Sequence, residues 1–153
     1  MFQSFTRLFA VSAIASLVPS VQTPIGWHRL SGRITWAGVM HGDELDGAYS
    51  RADVLVAPSR TESYGIAVGD ALGRGIPVIA TRVGGIPEAA QPENAVMLVP
   101  PQDPKALGQA LRRWIEDPAL RAGMSAAART AAPGRRRWSD TARVIDSTLA
   151  GLT

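Results

Sequence analysis

The feature that most constrains the fold is a set of short runs that are apolar throughout: "DVLVAP", "PVIAT" and "AVMLVP". A strand with one face in water alternates apolar with polar residues. A strand apolar at every position is covered on both faces, the condition of a parallel sheet between two helical layers. The intervening segments fit. "GDELDGAYSRA" predicts a helix capped by Asp43, with Leu45 and Tyr49 at i and i+4. A second helix is predicted to open near Tyr64–Gly65, with Val68, Ala71, Leu72 and Gly75 facing inward, and "VGGIPEA" is a glycine turn into a short helix. "RITWAG" reads as a further strand ending at Gly38.

The tail is helical. Asp103 and Pro104 suit N-cap and N1, followed by Leu107, Ala110, Leu111, Trp114 and Ile115 at helical spacing. Asp117-Pro118 opens a second helix to about Ala132, and Ser139 caps a last one carrying Ala142, Ile145, Leu149 and Leu152. The fold class is α/β: an open, doubly wound, Rossmann-like parallel sheet closed by C-terminal helices.

Residues 1–32 are set apart from a domain spanning 33–153. The apolar run Leu8–Val18 is shorter than the roughly 20 residues a membrane-spanning helix needs. It reads as a buried helix, because Leu8, Val11, Ile14 and Val18 fall near helical spacing, with a signal-peptide core as the alternative. A single arginine before it and Val18-Pro19-Ser20 after it make a poor leader. Residues 19–32 form a loop rich in Pro, Thr, Gly and Ser.

With 153 residues the chain can bury a core, and the lack of cysteine excludes disulfides and thiolate metal sites while permitting a reducing compartment. A cytoplasmic location is expected. The formal charge of +3 suits an anionic ligand or peripheral contact with an anionic membrane surface. His28 and His41, the only histidines, make no metal site without cysteine, and no D-x-D is present. "GRRRWSD" is one basic cluster without other nucleic-acid features, so no nucleic-acid partner is expected. No G-x-G-x-x-G follows a strand, which argues against a nicotinamide cofactor.

The site is expected in "PSRTESYGIAVGDALGRG", at the carboxyl end of a strand, where open α/β sheets bind ligands. A helix opening at Gly65 directs free N–H groups and the positive end of its dipole at the crevice, which suits phosphate. Glu62 lies ahead of that end and Asp70 lies off the buried stripe. Carboxylates repel phosphate but accept from hydroxyls, so the pair suits the hydroxyl-bearing rings on either side of a diphosphate, a nucleotide sugar. An exposed loop glutamate and a solvated helix aspartate are the plainer alternative.

From "RITWAG" through "DVLVAPSRTESYGIAVGDALGRGIPVIATRVGGIPEA" to "MLVPPQDPKALGQALRRWIEDPALR", roughly residues 33 to 152, the chain resembles the donor-binding half of retaining glycosyltransferases with two Rossmann-like domains (GT-B). It is most similar to family 4, which includes sucrose, trehalose and mannosyl transferases. The family's E-x7-E signature falls on Glu62 and position 70. The resemblance implies that Glu62 lies beside the transferred sugar, that Asp70 binds the ribose, and that the backbone around Tyr64, Gly65 and Ile66 meets sugar hydroxyls and phosphate. It implies metal-independent transfer from a nucleotide-sugar donor to an unknown acceptor, with no cofactor.

Two departures stand out. Asp70 is one methylene shorter than the family's glutamate. No glycine-rich strand–loop with the family's diphosphate-neutralising Arg…Lys pair is recognisable before Arg33, and 153 residues leave no room for the acceptor domain. Residues 5 to 19 are compatible with the remnant of a donor-domain helix. The expected chain is therefore a truncated transferase, inactive or poor alone and prone to self-association. A non-catalytic nucleotide-sugar-binding module is the alternative, and a sugar-nucleotide epimerase is less favoured by the E-x7-D pattern.

Overall fold

The computed structural model describes residues 8–10, 37–134 and 138–151. Its elements are β1 (Leu8–Ala10), α1 (Gly42–Ser50), β2 (Val54–Ala57), α2 (Ile66–Gly73), β3 (Val78–Thr81), α3 (Ile86–Ala89), β4 (Val96–Val99), α4 (Pro104–Glu116), α5 (Pro118–Ala131) and α6 (Trp138–Ala150). The four strands form one parallel sheet in the order β1-β2-β3-β4.

Two of the three apolar runs behave as expected. β4, at the end of the strand order, buries Val99 but leaves Val96, Met97 and Leu98 partly exposed. Every residue of β2 and β3 is buried, and successive side chains serve opposite faces of the sheet. Leu55, Ala57, Val78 and Ala80 pack with Tyr49 of α1 and with Val68, Ala71 and Leu72 of α2. Val54, Val56, Ile79 and Val99 pack on the other side with Ala110 and Trp114 of α4 and Met124 of α5. The sheet is thus covered on both faces, as its strands require. α5 serves both layers, since its Ala128 joins the α2 side.

Two helix starts follow the sequence residue for residue. The Asp103 side chain accepts from the Ala106 amide and that of Asp117 from the Leu120 amide, each at 2.9 Å, with proline at the first helical position.

Other expectations are corrected. Leu8–Ala10 form a strand paired with Val54–Val56, where a helix over Leu8–Val18 was expected. A short apolar run is ambiguous by periodicity, and here the pairing is long-range. The rest of that run, and Arg33–Trp36 of "RITWAG", lie outside the described residues, while Ala37 and Gly38 are not in a strand. His41 rather than Asp43 precedes α1, with no side-chain cap, and Asp43 and Glu44 in the first turn complement the helix dipole instead. Gly75 lies beyond α2 at φ +74, against the backbone of Arg129 in α5. Ile115 is exposed, one residue outside the arc that α4 buries. α6 begins at Trp138, and its Val144, Ile145 and Leu149 are exposed.

Candidate functional site

The parallel sheet brings the carboxyl ends of β2 and β3 side by side, with Ala57 paired to Ala80. The chain leaves β2 at Ala57 and reaches α2 at Ile66, so residues 58–65 cross that end of the sheet next to the β3–α3 turn at 82–85. Gly65 precedes α2 with φ +81 and ψ 36, a left-handed conformation that glycine adopts without strain. A side chain there would also crowd Ala89 Cβ at 3.1 Å.

Glu62 is half-buried and folds back on its own loop. Its Oε1 accepts from the amide of Gly65 at 3.1 Å and from that of Tyr64 at 3.3 Å. Two of the amides expected to face a ligand therefore face Glu62. The next three, on Ile66, Ala67 and Val68, have no intrahelical acceptor by the geometry of a helix start. The side chains of Tyr64 and Ile66 are exposed on either side of Gly65.

Asp70 is one turn into α2, on the side toward α1. Its Oδ2 lies 3.9 Å from Nη1 of Arg74, whose Nη2 donates to Asp46 of α1 at 2.6 Å. The Arg74 guanidinium sits 4.6 Å from the centre of the Tyr49 ring, a cation–π arrangement. Burial, and next the Asp70 carboxylate, push the Tyr49 phenol above its ordinary range, while Arg74 opposes them. The structure thus gathers Glu62, Tyr64, Gly65 and Ile66 at one helix start, and seats Asp70 in a separate charged cluster on the same helix. Among the described residues no three His, Cys, Asp or Glu side chains converge as metal ligands.

The sequence reading missed what underlies the loop. Thr81, the last residue of β3, is buried and donates its hydroxyl to the carbonyl oxygen of Ser59 at 2.6 Å. Gly84 and Gly85 meet the loop backbone directly. A Cβ on Gly84 would overlap the carbonyl oxygen of Glu62 outright, and one on Gly85 would lie 2.6 Å from the Ser63 oxygen. The only signals in sequence were a hydroxyl closing an apolar strand and the paired glycines of "VGGIPE".

The sequence pattern of the family described as "Glycosyl transferases group 1" matches residues 19–117. A D-inositol 3-phosphate glycosyltransferase of Corynebacterium urealyticum is 38% identical over 103 residues, 67% of this chain and 24% of that protein. One from Saccharomonospora viridis is 40% identical over 100 residues, 65% of this chain and 23% of that protein. Among solved structures, a sucrose-phosphate synthase from Thermosynechococcus elongatus superposes with a TM-score of 0.70 at 33% identity, covering 82% of this chain and 32% of that one. The chain spans about a quarter of the length of the curated relatives it matches.

Proposed function

From the premise that this chain belongs to group 1 of the glycosyl transferases, we propose that it binds the sugar donor, and that the donor is a nucleotide-diphosphate sugar held at the start of α2. The observation that carries this reading is the juxtaposition of a helix start, its amides and Glu62 at the carboxyl end of β2. The α2 dipole and the amides from Ile66 onward stabilise the diphosphate without a metal ion. Glu62 and the backbone at Tyr64 and Gly65 hold sugar hydroxyls, and Asp70 accepts from the ribose. Transfer in a whole enzyme breaks the bond from the anomeric carbon to the diphosphate and forms one to an acceptor oxygen on the same face. The configuration is retained, and the acceptor proton leaves with the diphosphate.

The test is titration calorimetry with UDP-glucose and GDP-mannose, each beside its free nucleoside diphosphate. A sugar nucleotide should bind more tightly than its diphosphate, and Glu62→Gln should erase about fivefold of that preference, the scale of one hydrogen bond. An unchanged preference removes Glu62 from the sugar. A second reading, a non-catalytic binding module, draws on one observation: Glu62 already serves as acceptor for its own loop. Turnover by a whole two-domain enzyme carrying this chain as its donor half distinguishes the two, since one built on a binding module releases no diphosphate in the presence of any acceptor.

A further inference from the structure

We propose that Thr81 and Gly85 are positioning residues: the end of β3 and the turn after it hold the 58–65 loop in the one shape that keeps Glu62 against the start of α2. What that position is for rests on the donor-binding reading above; the positioning itself does not.

Apart from the Gly65 carbonyl, which accepts from Gly69 of α2 at 2.9 Å, and the amides that bond Glu62, the loop is shaped by what lies beneath it. At its entry, Thr81 is the buried polar side chain of the described core, and its hydroxyl is used on Ser59 at 2.6 Å. Valine has nearly the same shape but no donor, and would leave the Ser59 carbonyl without this bond. At the loop's far end the glycines answer to different demands. Gly84 has φ +50, which by itself favours glycine. Gly85 does not: its φ of −77 and ψ of 0 are open to any residue. Its need for glycine is spatial, since a Cβ would stand 2.6 Å from Ser63 O and 2.8 Å from Tyr64 Cα, both backbone atoms. A methyl group at 85 must push the loop outward, and the atoms it pushes adjoin the amides that bond Glu62.

The experiment uses the whole 153-residue chain without ligand. Glu62→Gln replaces a charged acceptor by a neutral one, and so shifts the amide resonances of Tyr64 and Gly65 in the NMR spectrum. The same change is then made in Gly85→Ala, Thr81→Val and Thr81→Ser backgrounds. The shift should fall to about half or less with Gly85→Ala and Thr81→Val, and persist with Thr81→Ser, which keeps the hydroxyl. Within each background the Glu62 change should leave the resonances of Val54–Val56 and Val78–Ile79 in place. An undiminished shift in the Ala and Val backgrounds overturns the proposal, as does the lack of any shift in the parent chain. If Gly85→Ala does not fold, the Val and Ser pair decides. Adding UDP-glucose or UDP to the parent chain gives a separate answer: failure to bind either sinks the donor reading and leaves the amide result standing.

Discussion

Glu62 is held by two bonds to its own loop, and on the donor reading proposed above these are the bonds that a ligand replaces. Its Oε1 bonds to Tyr64 and Gly65 help hold the loop in the free protein. As bonds to a charged acceptor each contributes about 1.5–3 kcal/mol, which a ligand has to match to replace them. On that reading, sugar hydroxyls take the place of these amides at Glu62 without unfolding the loop. Asp70 differs. Its nearest cation, Arg74, is 3.9 Å away, too long for a hydrogen bond, and about a third of the Asp70 side chain is exposed. If Asp70 serves the ribose, its reach is what limits it. Asp70→Glu should therefore tighten binding of UDP or GDP about fivefold, the worth of one better-made hydrogen bond. Equal or weaker binding in a calorimetric titration would show that the added methylene closes on Arg74 instead. Spacing named these residues correctly as neighbours of one helix. It could not say where their side chains turn, because that depends on Arg74, Asp46 and the loop amides, which only the fold brings near.

At the scale of elements, legibility followed the range of the cause. The starts of α4 and α5 were readable to the residue because an Asp-Pro pair carries its own cap. β2 and β3 were readable because burial on both faces leaves an apolar signature. β1 was not, since its strand state comes from pairing with residues 54–56, and three apolar residues suit a helix equally well. The join of α1 to α2 was also invisible: Arg74 ties Asp46 and caps the Tyr49 ring. That join makes a pH prediction. Burial first, and then Asp70, raise the Tyr49 phenol in the folded chain. The unfolded chain ionises this tyrosine near its ordinary value of about 10, so its contribution to stability is complete below that pH and is lost as pH climbs through the raised folded value. The difference in urea midpoint between the parent chain and Tyr49→Phe should shrink from about pH 8 to about pH 11. A constant difference would mean that Tyr49 titrates alike in both states.

On the scale of the whole molecule, the C-terminal helix is the part that packing explains least. Val144, Ile145 and Leu149 of α6 are 52%, 55% and 59% exposed, although their spacing puts them along one side of the helix. A folded chain rarely leaves such a stripe in water without using it. Full burial of one such side chain is worth about 1.5–3 kcal/mol, so the half still exposed offers about 1 kcal/mol each. Three residues on each of two copies give roughly 5 or 6 kcal/mol, against an association cost of about 4–15 kcal/mol. At the low end of that cost the surplus is about 2 kcal/mol, while a millimolar Kd takes about 4 kcal/mol. Self-association therefore has to bury further area beside this stripe, and is predicted to be weak and concentration-dependent rather than a permanent dimer. Light scattering of the purified chain should show the mean mass rising as protein concentration goes from micromolar toward millimolar. Replacing Val144, Ile145 and Leu149 together by glutamine should hold it at the monomer mass with only a small change in the urea midpoint, since each side chain is already more than half exposed. A mass that is constant across the range in the parent chain would defeat the prediction. A mass that rises equally in the variant would assign the contact to another surface, with exposed Tyr64 and Ile66 beside the candidate site the next apolar residues to test.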